Sequence, residues 1–164
     1  MKIGIAVAMA VATIWTASSQ ASAQTPAPSD AELYIITPRD GQRLRGPVTV
    51  RFGLKNMGVT RAGDRTANMG HHHLLLNSDD QLDPTEPIPT DRKHLHFGAG
   101  QTETTLDLPP GTHTLQLILG DAEHKLFKPP LVSKKITVTV LKPAPPPTNA
   151  ANNRSNRGRK APAR

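Results

Sequence analysis

Turn residues interrupt this chain so often that no stretch between Leu33 and Leu141 keeps a helical period. There are 16 prolines and 12 glycines in 164 residues. The segments Asp83 to Pro89 and Lys128 to Pro130 must be loops, because a proline lacks the N–H that helix and sheet both use. Between the interruptions the chain alternates. From Pro47 to Leu54, Val48, Val50, Phe52 and Leu54 face one way while Thr49, Arg51 and Gly53 face the other, which is the period of a half-buried strand. Shorter runs follow the same rule at Leu33 to Thr37, His71 to Asn77, Thr102 to Leu108, Thr112 to Leu119 and Ser133 to Leu141. Pro38-Arg39-Asp40-Gly41 and Pro109-Pro110-Gly111 supply turns between them. The pattern predicts an all-β chain folded as a single antiparallel β-sandwich over residues 33–141.

The two ends read differently. Met1-Lys2, an apolar run from Ile3 to Ile14 and the small residues Ala21-Ser22-Ala23 have the form of a secretory signal peptide over residues 1–23. Cleavage after Ala23 would place the mature protein in the periplasm or outside the cell. Residues 24–32 then read as a linker. From Lys142 to Arg164 the chain is KPAPPPTNAANNRSNRGRKAPAR, which has no aliphatic side chain larger than Ala and predicts a disordered, Pro-rich tail. The formal charge is +7, from 20 Lys and Arg against 13 Asp and Glu. Six of those cations lie in the tail and one is Lys2, so residues 24–141 carry 13 basic and 13 acidic groups. A neutral body argues against a nucleic-acid partner. It leaves the cationic tail as a candidate contact for anionic cell wall or membrane.

All seven histidines fall between positions 71 and 124, and the chain has no cysteine. Any soft or borderline metal must therefore be held by imidazole, with thioether as the only sulfur donor available. His71 and His73 form an i, i+2 pair, as do His94 and His96. On a strand such pairs project from one face, so two of them from neighbouring strands could converge on one ion at ~2.0 to 2.1 Å. If Leu74 and Leu76 point into the sandwich, His72 shares their face and His71 and His73 point outward; if Leu75 is the buried leucine, the assignment inverts. Leu95 and Phe97 are the natural core residues beside His94 and His96. His113 begins the row Leu115, Leu117, Leu119 and reads as a buried ring bonded to a nearby loop, with ligation as its alternative. His124, in the loop Gly120-Asp-Ala-Glu-His-Lys125, is either a further ligand or a solvated side chain. Met57 and Met69 lean the reading from zinc towards copper.

Other chemistries lack their residues. Asn77, Asp79, Asp80 and Asp83 have neither the central Gly nor the distant Glu of a calcium loop. No nucleophile elbow and no Gly-rich phosphate loop occurs. An enzymatic reading would need an open metal position and a general base, for which Glu103 or Asp91 is nearest.

Thr37-Pro-Arg-Asp-Gly with Gly46-Pro-Val-Thr-Val, and Leu108-Pro-Pro-Gly-Thr-His-Thr-Leu-Gln-Leu, resemble immunoglobulin-like domains of bacterial envelope proteins. Gly70-His-His-His-Leu-Leu, His94-Leu-His-Phe-Gly-Ala-Gly-Gln-Thr-Glu-Thr and the Leu108-to-Asp121 stretch together resemble an uncharacterised family of exported bacterial proteins, of the domain of unknown function 4399 type, over roughly Ile36 to Val140. That resemblance implies an exported single domain and brings no activity with it. The residues themselves lead to the expectation of a non-catalytic periplasmic protein that binds copper or zinc through His71, His73, His94, His96 and His124. The alternative is an envelope interaction module that uses the sandwich and the tail without metal.

Overall fold

The computed structural model describes residues 24–144, so the expected leader and nearly all of the expected tail lie outside the described residues. Within them the chain is all-β. The strands are β1 (Glu32–Thr37), β2 (Arg43–Arg45), β3 (Val48–Lys55), β4 (Gly58–Val59), β5 (Met69–Leu76), β6 (His94–Phe97), β7 (Glu103–Leu106), β8 (Gly111–Gly120) and β9 (Ile136–Leu141). They form two sheets. The smaller runs β1-β3-β7; the larger runs β2-β9-β8-β5-β4, with β6 also paired to β5. Most pairs are antiparallel, but β2 lies parallel to β9 and β4 parallel to β5. These two short strands were not visible as alternating runs, since two or three residues carry no measurable period.

The alternation in β3 does what it predicts. Val48, Val50 and Phe52 are buried, and they meet Leu74 of β5, Leu115, Leu117 and Leu119 of β8, and Val138 and Val140 of β9 in one core between the sheets. Each such side chain removed from water contributes roughly 1.5 to 3 kcal/mol before conformational entropy is subtracted. On the opposite face of the small sheet the Tyr34 ring lies over Gly53, its register partner, so closely that a Cβ at residue 53 would overlap the ring. Beside it Thr49 pairs with Thr105 and Arg51 with Glu103 across β3 and β7.

Strand β5 is buried on both faces. Leu74 and Leu76 point into the sandwich, which carries His72 with them and turns His71, His73 and Leu75 outward. Outward is not towards water here. Leu75 packs with Ile88, Ile118, Leu126 and Leu82 in a second apolar cluster, because the segments containing Leu82 to Ile88 and Leu126 fold across the large sheet. Residues 24–31 also lie against the body rather than apart from it. Ala27 N–H donates to the Lys128 carbonyl, Lys128 N–H to the Thr25 carbonyl, and the Gln24 amide reaches the carbonyls of Pro84 and Leu126.

Candidate metal centre

Register explains how four imidazoles meet. In the antiparallel pair of β5 and β6, His73 stands opposite His96, and Leu75 opposite His94. Directly opposed residues have Cβ atoms about 4.5 to 5.5 Å apart, so the His73 and His96 rings begin as neighbours. His71 lies two residues before His73 on the same face. Across β5's other edge, His71 faces Gly120 and His73 faces Ile118. Gly120 leaves the space the rings occupy: a Cβ there would stand 2.9 Å from His73 Nε2 and 3.4 Å from His71 Cε1. Gly98 does the same for His96, where an added Cβ would lie 2.6 Å from Nε2.

After Gly120 the chain turns and returns through a bridge to Leu126. His124 N–H donates to the Asp121 carbonyl, and His124 takes a left-handed φ of 64°, a conformation that swings its ring back over the sheet. Its centroid is 4.8 Å from that of His71 and 4.8 Å from that of His96, with His73 at 6.0 Å. The other centroids are 4.9 to 5.1 Å apart. One nitrogen from each of His71, His73 and His96 lies within 4.8 Å of the others; His124 meets these rings centroid to centroid but stands outside that group of nitrogens. The Nε2 atoms of His71 and His73 are 3.0 Å apart. Two nitrogens that share one ion at ~2.0 to 2.1 Å stand roughly 2.9 to 3.4 Å apart, from square-planar neighbours to a tetrahedral pair.

The electrostatics favour the neutral form of His71, His73 and His96. Burial, and then the neighbouring imidazoles, lower His71 to about 4 and His73 to about 3. Burial followed by His124 lowers His96. A neutral imidazole has a free lone pair, which is the form a metal takes. His71 Nδ1, His73 Nδ1 and His96 Nε2 are buried with no hydrogen-bond partner. Each such orphan costs about 1 to 3 kcal/mol.

The remaining histidines are engaged elsewhere. His94 does not join the cluster, although its i, i+2 spacing to His96 is that of a converging pair. Its Nδ1 is hydrogen-bonded to Asp91 at 3.0 Å, and its Nε2, which has no hydrogen-bond partner, stands 3.1 Å from the Asp80 carboxylate, so acids flank both nitrogens. Spacing puts two side chains on one face, but β6 extends past the cluster and carries His94 to the loop acids beside Leu75. His72 faces the core, with Phe52 at 5.0 Å between centroids and Nδ1 donating to the Gln101 carbonyl at 3.1 Å. His113 sits at the head of its leucine row, where Nε2–H donates to the Pro109 carbonyl at 2.9 Å and Nδ1 accepts from the Asn77 amide at 3.0 Å. Met57 packs against the core, and the Met69 thioether lies over Gly58. Of the two candidate bases, Asp91 holds His94 and Glu103 pairs with Arg51 on the small sheet.

Gly98, Gly120 and Asp121 were not singled out by sequence reasoning. The glycines left a signal, each closing a strand that bears or faces a histidine, but a glycine at a strand end reads equally well as a turn.

A family model described as Domain of unknown function (DUF4399) matches residues 50–141. The chain belongs to that family. The matched span runs from within β3 to the end of β9 and includes every histidine of the chain. No curated protein matches the chain. Among solved structures, the X-ray structure of the endo-beta-1,4-mannanase from Thermotoga petrophila is similar at 18% identity with a TM-score of 0.40. That similarity covers 70% of this chain but only 20% of the mannanase, and at this level it carries no argument about function.

Proposed function

We propose that this protein is an exported, non-catalytic binder of copper or zinc, buffering or handing over the ion, with His71, His73 and His96 as ligands and His124 as the fourth. The observation that carries the reading is the convergence of imidazole nitrogens on one point: one nitrogen from each of His71, His73 and His96 lies within 4.8 Å of the others, and the Nε2 atoms of His71 and His73 stand 3.0 Å apart, the spacing of two donors to one ion. His96 Nε2 is buried with no hydrogen-bond partner, and an ion would satisfy it. The donor set is all nitrogen, with no carboxylate or thiolate within it. That composition suits copper and zinc and is unsuited to calcium or magnesium, which take oxygen ligands.

Titration of the purified chain with Cu(II), Cu(I) and Zn(II) at neutral pH tests the reading. One saturable site per chain, weakened at least about tenfold by His73→Ala or His96→Ala, is expected. His94→Ala should leave affinity unchanged. Gly98→Ala should weaken binding about tenfold while thermal unfolding stays near that of the parent, because the added methyl presses on the His96 ring rather than on the core. Binding without a defined stoichiometry, or equal loss in every His variant, would overturn the assignment.

A further inference from the structure

Three of the four imidazoles stand on strands, and the fourth stands on a loop held in place by one buried carboxylate. Asp121 is 3% exposed. Its Oδ1 accepts from the backbone N–H groups of Glu123 and Lys125, both at 2.9 Å, and so brackets His124 on either side. Its Oδ2 accepts from the Thr25 hydroxyl at 2.6 Å, a length typical of a charge-assisted bond. Thr25 is itself fixed, because its carbonyl takes the Lys128 N–H and the next residues run beside Lys128. A second tie comes from Ile88, whose N–H donates to the His124 carbonyl at 2.7 Å. The left-handed φ of His124 needs such over-determination, since a non-glycine residue keeps it only where the surroundings hold it.

From this geometry we infer that Asp121 and Thr25 are positioning residues for His124, and that this tether sets how fast the bound ion is released. The inference rests on the metal-binding reading above and adds its exchangeable ligand. The backbones of His71, His73 and His96 are held by the strand pairing of β5 and β6, whereas the backbone of His124 can move away when the loop loosens. Ligand exchange at a four-nitrogen site begins with whichever donor is least anchored. The strap that governs that donor is the segment beginning at Gln24, the residue that follows the expected cleavage point.

The test uses the full chain produced with its own leader and loaded with one equivalent of Cu(II). Release to excess chelator is followed by loss of the copper ligand-field absorption. Thr25→Val, which keeps the shape and removes the donor, should speed release several-fold, and Asp121→Ala about tenfold. Asp121→Asn should release at close to the parent rate, because its Oδ1 still accepts from both N–H groups and its amide can donate to the Thr25 oxygen. His124→Ala should release as fast as Asp121→Ala, and the double variant no faster, since both remove one ligand. Additive effects, an Asn variant as fast as the Ala variant, or a Thr25→Val rate equal to the parent's would each overturn the tether. If the unsubstituted chain binds no ion, the functional reading fails first and the control of release falls with it. The tether is then judged by hydrogen exchange at the Glu123 and Lys125 amides, which Thr25→Val accelerates if the bond positions the loop and leaves unchanged if it does not.

Discussion

Seven histidines occupy four different environments, and the environment decides what each ring does. His113 is a hydrogen-bonded joint, His72 a core ring against Phe52, and His94 a carboxylate-held side chain; the other four face one another. The cluster has a consequence for stability. His71 and His73 are held near 4 and 3, below the ordinary 6.5 that the unfolded chain shows, so the unfolded state binds more protons between those values. Stability from this source is complete above about pH 6.5 and is lost as pH falls towards 4. Denaturant unfolding of the metal-free protein should therefore show a loss of about 2 to 4 kcal/mol between pH 7 and pH 5, at 1.36 kcal/mol per unit for each ring. Replacing His71 and His73 together by Gln should flatten that slope. That His71 and His73 share a face was legible in the sequence, because the strand period is two. That His94 would find acids and His96 would not was beyond any spacing rule, since Asp80 reaches β6 only through the loop that folds over it.

At the scale of the element, β5 carries the most information and was the hardest to read. Its three consecutive leucines hide the alternation, because both faces are covered and a strand buried on both sides has no polar side to mark its register. Leu74 belongs to the main core and Leu75 to the outer cluster, at 0% and 3% exposure. Both Leu74→Ala and Leu75→Ala should accordingly cost about 2 to 5 kcal/mol in equilibrium unfolding. Ile36→Ala in β1, where the side chain is 50% exposed, should stay within about 1 kcal/mol. A mild Leu75→Ala would mean that the loops over the large sheet do not seal it. By contrast, β3 and β9 show clean alternation because one face of each meets the core while Thr49 and Arg51, and Thr137 and Thr139, mark the other; β8 keeps the pattern from His113 to Leu117 before Ile118 joins the outer cluster, and these strands were legible to within a residue or two at most ends.

For the molecule as a whole, charge is segregated along the chain. Residues 24–141 balance 13 cations against 13 anions, and the net +6 beyond them belongs to residues 142–164. Removing those residues should abolish retention on a cation exchanger at neutral pH and any salt-sensitive binding to anionic vesicles, while the unfolding midpoint stays unchanged. Retention by the shortened chain would place a basic surface on the sandwich itself. Family, sheet class and the presence of a histidine-rich strand were determined by sequence alone, because turn residues, period-two alternation and motif spacing are properties of neighbours in the chain. Which imidazoles converge was decided only by tertiary structure. That depends on the pairing of β5 with β6, on two glycines that leave the rings room, and on a loop turned by a buried Asp121. Gly98 beside His96 and Asp121 within its own loop are near neighbours in the chain, but the strand pairing, the place of Gly120 against His71 and His73, and the Thr25 bond to Asp121 join residues tens of positions apart, and no local pattern encodes their distances.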